Sequence, residues 1–433
     1  MYPNLYYAFK DLFGIELSGL RFVNSFGFFV ALAFLAGAYI LTLEMKRKER
    51  EGLMQAKEEK IRVGEIAQPA DLLLNFLLGF LLGYKLIGLF LMGKEEHFDP
   101  QAFIFSARGN LTAGLLAGLF FAGIKYWEKH KQKLAKPEDR IIRIWPHDRV
   151  GDLVVFAAIF GFLGAKIFHN LENWNDFVKN PIEALLSFSG LTFYGGLICA
   201  ALAIFFYARK NKIGFRHLCD TMAPTLMLAY AIGRIGCQVS GDGDWGIMNS
   251  AYISTPQGTV IAADSSAFKQ QLQTNAAFYQ QTFRGSSLAE LHHTPVVAPS
   301  FIPRWMVAYN FPHNVINEGV SISGCEGQYC SQLPVPVFPT AFYETVAGLF
   351  LFAFLWAIRK KITIPGVLFS VYLMVNGLER FFIEKIRVNN KYSILGFHPT
   401  QAEIISFSLF LAGLILFLYL RSKSKRSALI KKA

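Results

Sequence analysis

The chain has 433 residues, 53% of them hydrophobic, including 42 Phe, and a formal net charge of +12. That apolar content excludes an ordinary soluble domain, and runs of membrane length place the chain among polytopic membrane proteins. The basic excess sits in alternate loops rather than on one face, which excludes nucleic acid as the partner and follows the inside bias of membrane proteins.

Nine apolar spans are expected in chain order, at about 22–43, 71–93, 109–126, 151–168, 191–208, 219–239, 340–358, 363–381 and 402–420. Each is near the ~20 residues that a bilayer requires. The first is followed by Lys46-Arg47-Lys48 with no small-residue cleavage site, so it reads as a retained anchor. The loops Lys46–Arg62, Lys125–Arg149, Arg209–Arg216, Arg359–Lys361 and Arg421–Lys432 hold most of the Lys and Arg and are expected inside. Residues 240–338 hold only Lys269, Arg284 and Arg304 and are expected outside, giving an external N-terminus and an internal C-terminus.

An internal repeat runs at an offset of about 81 residues: Asp71-Leu72-Leu73 and Gly83-Tyr84-Lys85 correspond to Asp152-Leu153-Val154 and Gly164-Ala165-Lys166. Two copies in the same direction read as a duplicated helical hairpin, unlike the inverted repeats of transporters. Lys85 and Lys166 lie well inside their spans, where they snorkel, pair with a carboxylate or bind lipid phosphate, and their repetition at equivalent positions favours a structural role for at least one of them. The fold class is therefore an all-α polytopic membrane protein. Membrane parts 1–239 and 339–433 flank an insertion at 240–338, whose short alternating runs, such as Gly258-Thr259-Val260-Ile261, predict partly β character. Within it, Phe268–Gln281 is expected to be helical.

Cys199, Cys219 and Cys237 read as small buried thiols. Cys325 and Cys330 lie together in the external loop, where an oxidising compartment favours a local disulfide. Neither a second cysteine pair nor close histidines accompany them, so no metal site is expected.

Arginine in a membrane-length helix is costly and points to function. Arg234 lies near the outer end of span six; span eight brings Arg380 and Glu384 to the same side, and Tyr194, Tyr343 and Glu344 fall in the first turns of spans five and seven. Snorkelling and the aromatic belt explain any one of these residues alone. Six of them on four helices, among glycines that allow close packing, Gly195, Gly196, Gly233 and Gly236, point to an anion site.

These motifs resemble those of the prolipoprotein diacylglyceryl transferase family. Gly233-Arg234-Ile235-Gly236-Cys237-Gln238-Val239-Ser240-Gly241-Asp242, preceded by Asp220-Thr221-Met222-Ala223-Pro224, is similar to its signature Gly-Arg-X-Gly-Asn-Phe-X-Asn-Gly-Glu. Gly190 to Ile198 resembles its Gly-X-Ser-Phe-His-Gly-Gly-Leu-Ile block, with Tyr194 at the histidine, and Pro339 to Glu344 its Pro-X-X-X-Tyr-Glu block. Arg380 to Glu384 with Arg387, and Gln401 to Ser406, resemble the last two blocks. Phe26-Gly27 stands where the family often has Tyr-Gly. The resemblance takes in span one and spans four to nine, leaving 71–126 as an extra hairpin.

The resemblance implies transfer of a diacylglyceryl group from phosphatidylglycerol to the lipobox cysteine of a prolipoprotein signal peptide, in the bacterial inner membrane, with membrane lipids around it and no cofactor. It implies catalytic roles for Arg234, Arg380, Glu384 and Tyr194. Substrate-binding roles follow for Arg387, Phe26, Gly27, Gly195, Gly196, Ser240, Asp242, Tyr343, Glu344 and Gln401. Two guanidiniums suit a leaving phosphate; Glu384 would orient Arg380 or a hydroxyl, and Glu344 would fix the external mouth. A phenol near pKa ~10 is a weaker base than imidazole, so Tyr194 reads as a relay, with Glu384 or the departing phosphate as the alternative proton acceptor. A lipid or anion transporter and an inactive scaffold are the competing readings. Cysteines introduced near Lys131 and Lys423 should be protected from an impermeant external thiol reagent and one near Asn275 should react; external labelling at Lys131 would overturn the nine-span orientation.

Overall fold

The structure is a computed structural model that describes residues 1–92, 103, 106–186, 192–283, 287–389, 392 and 397–430. Arg284, Gly190, Leu191 and the end of the second expected span lie outside the described residues. The chain is mostly helical, as a polytopic membrane protein of helices requires. The main elements are α1 (Ser25–Arg50), β1 (Lys57–Val63), α2 (Pro69–Leu82, continued by a π turn at Gly83–Ile87 and by Gly88–Met92), α3 (Leu111–Lys131), β2 (Glu138–Ile144), α4 (Val150–Glu172), α5 (Phe193–Lys210) and α6 (Phe215–Ser240). Beyond the insertion come α9 (Thr340–Ile358), α10 (Val367–Glu384) and α11 (Gln401–Ile430), with α7 and α8 inside it.

Among the described residues, five helical stretches are long and apolar enough to cross a membrane: Ser25–Arg50, Pro69–Leu91, Pro146–Glu172, Thr340–Ile358 and Gln401–Lys425. Large apolar side chains along them face outward, among them Leu73, Leu77 and Leu81 on α2 and Phe350 on α9. In water this would be an aggregation surface; in lipid it is the ordinary outer face of a membrane protein. α6 and α10 carry Asp220 and Arg234, and Glu379, Arg380 and Glu384, respectively. These polar residues lower the apolarity of both helices.

Residues Met45–Phe215 form one compact unit. Local signals set its helices: Pro69 sits in the first turn of α2, where its missing N–H is harmless, and the Asn110 side chain accepts the Ala113 N–H at 2.9 Å to cap α3. The unit consists of two copies of strand, helix and helix. The repeat extends beyond the helices, because β1 and β2 begin at Lys57 and Glu138 and end at Val63 and Ile144, keeping the same offset. The two strands pair antiparallel with Lys60 opposite Ile141, which are equivalent positions in the two copies. Pairing of equivalent strands about such a point relates the copies by a local two-fold.

Both hairpins close on glycine. A Cβ at Gly83 would lie 2.3 Å from the Ala113 carbonyl oxygen, and one at the equivalent Gly164 would lie 2.5 Å from the Gly195 carbonyl oxygen and the Cys199 Cβ. Without a side chain there, the backbones come near enough for extended van der Waals contact, which drives helix association in lipid. Lys85 has the structural surroundings expected of a repeated lysine: among the described residues its ammonium donates to the backbone carbonyls of Phe103 (3.1 Å), Ser106 and Arg108 (2.7 Å). It thus satisfies carbonyls for which lipid offers no donor. Lys166 is buried on α4.

The second unit comprises Met1–Glu44 and Arg216–Ala433. Its helical core is built on Ala223, Met227, Leu355 and Leu368 of α6, α9 and α10. The insertion has its own core around Met248, Phe268, Leu272, Tyr279, Phe311 and Val335. Its described strands are short: β3 (Met248–Asn249), β4 (Tyr252–Ser254), β5 (Val260–Ala262), β6 (His293–Thr294), β7 (Val320–Ser321) and β8 (Ser331–Gln332), paired β3 with β6, β4 with β5 and β7 with β8. Phe268–Gln281 lies in α7 (Ser265–Thr274) and α8 (Ala276–Thr282), and Cys325 and Cys330 are joined by a disulfide.

Replacing Gly164 by Leu should overpack the α4–α5 crossing and cost about 1–3 kcal/mol. A Cβ added at Gly123 would meet nothing within 4 Å, so Gly123→Ala should be neutral or slightly stabilising. Unfolding temperatures in detergent check both, and equal temperatures for the wild type and Gly164→Leu would refute the packing argument.

Candidate active site

Helix α6 sets the site from its first turns. The Asp220 carboxylate accepts the Gly366 N–H at 2.8 Å and the Phe369 N–H at 3.1 Å, capping α10 at its N-terminus. An anion is favoured there by the unpaired N–H groups and the helix dipole. Gly366 has φ +92°, a backbone conformation that other residues adopt at a cost. Arg234 follows Asp220, and Arg380 follows Gly366, by the same number of residues. At 1.5 Å per residue both arginines therefore arrive about 21 Å from the shared cap. One turn before Arg234, the Tyr230 hydroxyl donates to Glu379 at 3.4 Å and ties α6 to α10 a second time.

The two arginines meet on Glu344 of α9. Arg380 Nη1 lies 2.6 Å from Glu344 Oε1, Arg234 Nη2 pairs with Oε2, and Arg387 Nη1 lies 3.6 Å from Oε1. Glu344 is fully buried. It is the carboxylate around which three guanidiniums gather. A buried acid of this kind is tolerable only when paired this closely, since stripping a carboxylate of water costs several kcal/mol.

Asp244, missed in the sequence, completes the neutralisation by pairing with both Arg234 and Arg387. Gly241 (φ +66°) and Gly243 (φ +97°) turn the chain back after α6, and Thr340 Oγ1 holds the Asp244 carbonyl at 2.9 Å. Asp242, which the signature pattern singled out, instead accepts the Asp244 N–H at 3.4 Å. The Asp-Gly-Asp spacing was the available signal, but the pattern favoured the first acid. Burial alone would raise the Asp244 carboxyl; Arg234 and Arg387 outweigh it and hold it at about 2.

The adjoining chain pins Arg387. The Gly246 N–H donates to the Phe338 carbonyl at 2.9 Å and the Ile247 N–H to the Ile386 carbonyl at 2.8 Å. A Cβ at Gly246 would lie 2.7 Å from that Ile386 oxygen, so this approach needs glycine. Glu384 accepts from Asn389 Nδ2 at 2.6 Å and Thr400 Oγ1 at 2.7 Å, and its Oε2 stands 3.8 Å from Arg380 Nη2. Thr400 in turn forms a capping box with Glu403 at the start of α11.

Three polar atoms of the cluster are buried without a hydrogen bond in a way that matters chemically: Arg234 Nε and Arg387 Nη1 as donors and Glu384 Oε2 as acceptor. Buried unsatisfied donors at a cationic cluster mark where an anionic ligand oxygen would be stabilised. The side chain of Arg380 is 29% exposed, against 11% for Arg234 and 10% for Arg387. The pair expected to act alike therefore differs, with Arg380 the accessible cation and Arg234 the buried one.

Other expected site residues have different surroundings. Gly195 and Gly196 belong to the other unit and pack on α4, where added Cβ atoms would lie 2.4 Å from Phe168 and 2.8 Å from the Gly161 carbonyl. Tyr194, half-buried, lies beside them on α5. Phe26 and Gly27 are exposed at the start of α1, whose backbone there passes close to Gly236. Ser240 is buried, the Tyr343 hydroxyl donates to the Met306 carbonyl, and Gln401 is exposed at the start of α11. Cys237, Asp242 and Asp244 bring ligand atoms within 4.8 Å of one another, but a metal cation among them would face Arg234 and Arg387.

A family model described as prolipoprotein diacylglyceryl transferase matches residues 112–419. The matched range starts in α3 and ends in α11. Three similar proteins are named phosphatidylglycerol–prolipoprotein diacylglyceryl transferase. That of Staphylococcus haemolyticus is 26% identical over 73% of this chain and 84% of its own length. That of Psychrobacter arcticus is 28% identical over 64% and 79%, and that of Shouchella clausii 23% identical over 76% and 93%.

Asp244 supplies a pH test. A carboxyl held near 2 when folded, against ~3.9 unfolded, stabilises the fold fully above about pH 4 and loses that contribution as pH falls towards 2. The unfolding temperature should therefore fall more steeply over that window in the wild type than in Asp244→Asn. Parallel curves would show that Asp244 is not coupled to the arginines.

Proposed function

The chain belongs to the prolipoprotein diacylglyceryl transferase family, and we propose that its arginine cluster binds the phosphate that leaves when the diacylglyceryl group moves. The protein is a membrane transferase of lipoprotein biosynthesis: it transfers the diacylglyceryl group of phosphatidylglycerol to the lipobox cysteine thiol of a prolipoprotein. In our reading it spans the bacterial inner membrane nine times, with the N-terminus and the 240–338 insertion outside and the C-terminus inside.

A sulfur–carbon bond forms at the glycerol carbon while the bond from that carbon to the phosphate oxygen breaks. Its electron pair leaves with glycerol phosphate, so negative charge grows on the phosphate. Donors already aimed at that charge lower the barrier without reorganising. Arg380 is the contact we assign to the phosphate, because it is the most exposed of the three guanidiniums. The free N–H groups of Arg234 and Arg387 supply further donors. The thiol, with an unperturbed pKa of ~8.5, must lose a proton. The unpartnered Glu384 Oε2 accepts it in our assignment, held in place by Thr400 and Asn389. Tyr194, which stands where the family has histidine, is assigned a relay.

The observation that carries this reading is the buried cluster of three arginines with unsatisfied N–H donors. Its direct test is incubation of the purified protein with phosphatidylglycerol and a lipobox peptide, with detection of the thioether-linked diacylglyceryl product by mass. Arg380→Ala should lower the rate about 10²–10³-fold, the loss expected for a transition-state donor, with a smaller fall in unfolding temperature than Arg234→Ala, because Arg234 and Arg387 still pair with Glu344. Arg234→Ala should lower both, since a buried ion pair losing one partner costs about 3–5 kcal/mol. Lysine should restore little at either position, because it lacks the planar fork. Wild-type transfer by the double alanine variant would sink the phosphate assignment.

A further inference from the structure

The insertion contains a cavity of about 750 Å³, within the size range of pockets that enclose small ligands. One end adjoins the arginine cluster: Gly243 and Trp245, the neighbours of Asp244, line it, as does Asn389, which donates to Glu384. Its wall is apolar, with Phe278, Phe283 and Val335, and carries the carboxylates of Glu290 and Glu318. Tyr279, 3% exposed, also lines it, and its hydroxyl is buried with no hydrogen-bond partner; the nearby Val335 amide lies outside bonding geometry. Among the described residues the lining thus offers apolar surface and two carboxylates, with no Lys or Arg to receive an anion.

That combination decides between the two substrates. A phospholipid would bring its phosphate against two carboxylates, which repel it. An extended polypeptide brings N–H donors for the carboxylates and the phenol oxygen, and places alternate side chains on the apolar wall. We propose that this cavity binds the segment of the prolipoprotein that follows the acceptor cysteine, holding the thiol at the arginine cluster. The proposal rests on the transferase reading and adds to it the insertion as the surface that selects the protein substrate. Thr282, exposed at the rim on α8, marks its entrance.

The test uses the full-length protein with phosphatidylglycerol and two lipobox peptides, one ending directly after the cysteine and one continuing for about eight residues, an extended reach of about 26–29 Å. The long peptide should have a kcat/KM about tenfold higher, equivalent to 1.4 kcal/mol of binding. Thr282→Trp, which obstructs the rim, and Tyr279→Phe, which removes only the hydroxyl, should bring the long-to-short ratio towards one through KM. A ratio near one in the wild type, or a ratio undisturbed by both variants, would overturn the proposal. So would a rise in KM for phosphatidylglycerol alone in Thr282→Trp, which would make the cavity a lipid site. If the wild type transfers to neither peptide, the transferase reading fails instead. Anisotropy of a fluorescent long peptide still reads the cavity in that case: binding weakened by Thr282→Trp supports it, and no binding overturns it.

Discussion

Three guanidiniums within one buried cluster would repel one another and lose their hydration together; Glu344 makes the arrangement stable. Its carboxylate lies between Arg234 and Arg380, with Arg387 slightly farther off, and Asp244 closes the other side. Desolvated pairs of this kind are poor contributors to net stability but fix geometry, because every misplacement leaves a buried charge unpaired. That geometry is what the chemistry uses. Donors held by carboxylates before substrate arrives need no rearrangement as the leaving phosphate gains charge.

The cluster forms because two helices are kept in register at their far ends. Asp220 accepts the N–H groups that begin α10, and from that shared origin α6 and α10 climb by equal lengths to Arg234 and Arg380. A capping interaction thus acts at a distance of about 21 Å through two rigid helices. The insertion completes the site locally. Its first residues pair with Ile386 and Phe338, so Asp244 and Arg387 are positioned by backbone hydrogen bonds rather than by loop chance. The insertion is therefore part of the site's framework as well as the wall of its adjoining cavity.

The unit from Met45 to Phe215 follows a different logic, duplication. Two copies of strand, helix and helix meet through antiparallel pairing of their own strands about equivalent positions. Glycines at matching places bring each pair of helices together. Lys85 shows why a lysine can persist within an apolar run: three backbone carbonyls surround its ammonium, so the charge satisfies groups that lipid cannot.

Composition, span lengths, loop charge and the repeat were legible in the sequence because each depends on local chemistry: apolar length, charge count, and residue identity at a fixed offset. Arg234, Arg380, Arg387, Glu344 and Glu384 were legible for a related reason, since ionisable groups beside apolar runs have few tolerable explanations. Their partners were not. Choosing Asp244 over Asp242 depends on two left-handed glycines that turn the chain, and the burial of Glu344 depends on which helices face it. Which helix Gly195 and Gly196 pack on was equally hidden, because a glycine shows that close approach is possible but not what approaches. The sequence by itself determined which groups carry charge and where along the chain they fall. The tertiary structure decided which charges pair, which donors remain free and how accessible each is, because pairing and burial depend on distances between segments far apart in the chain.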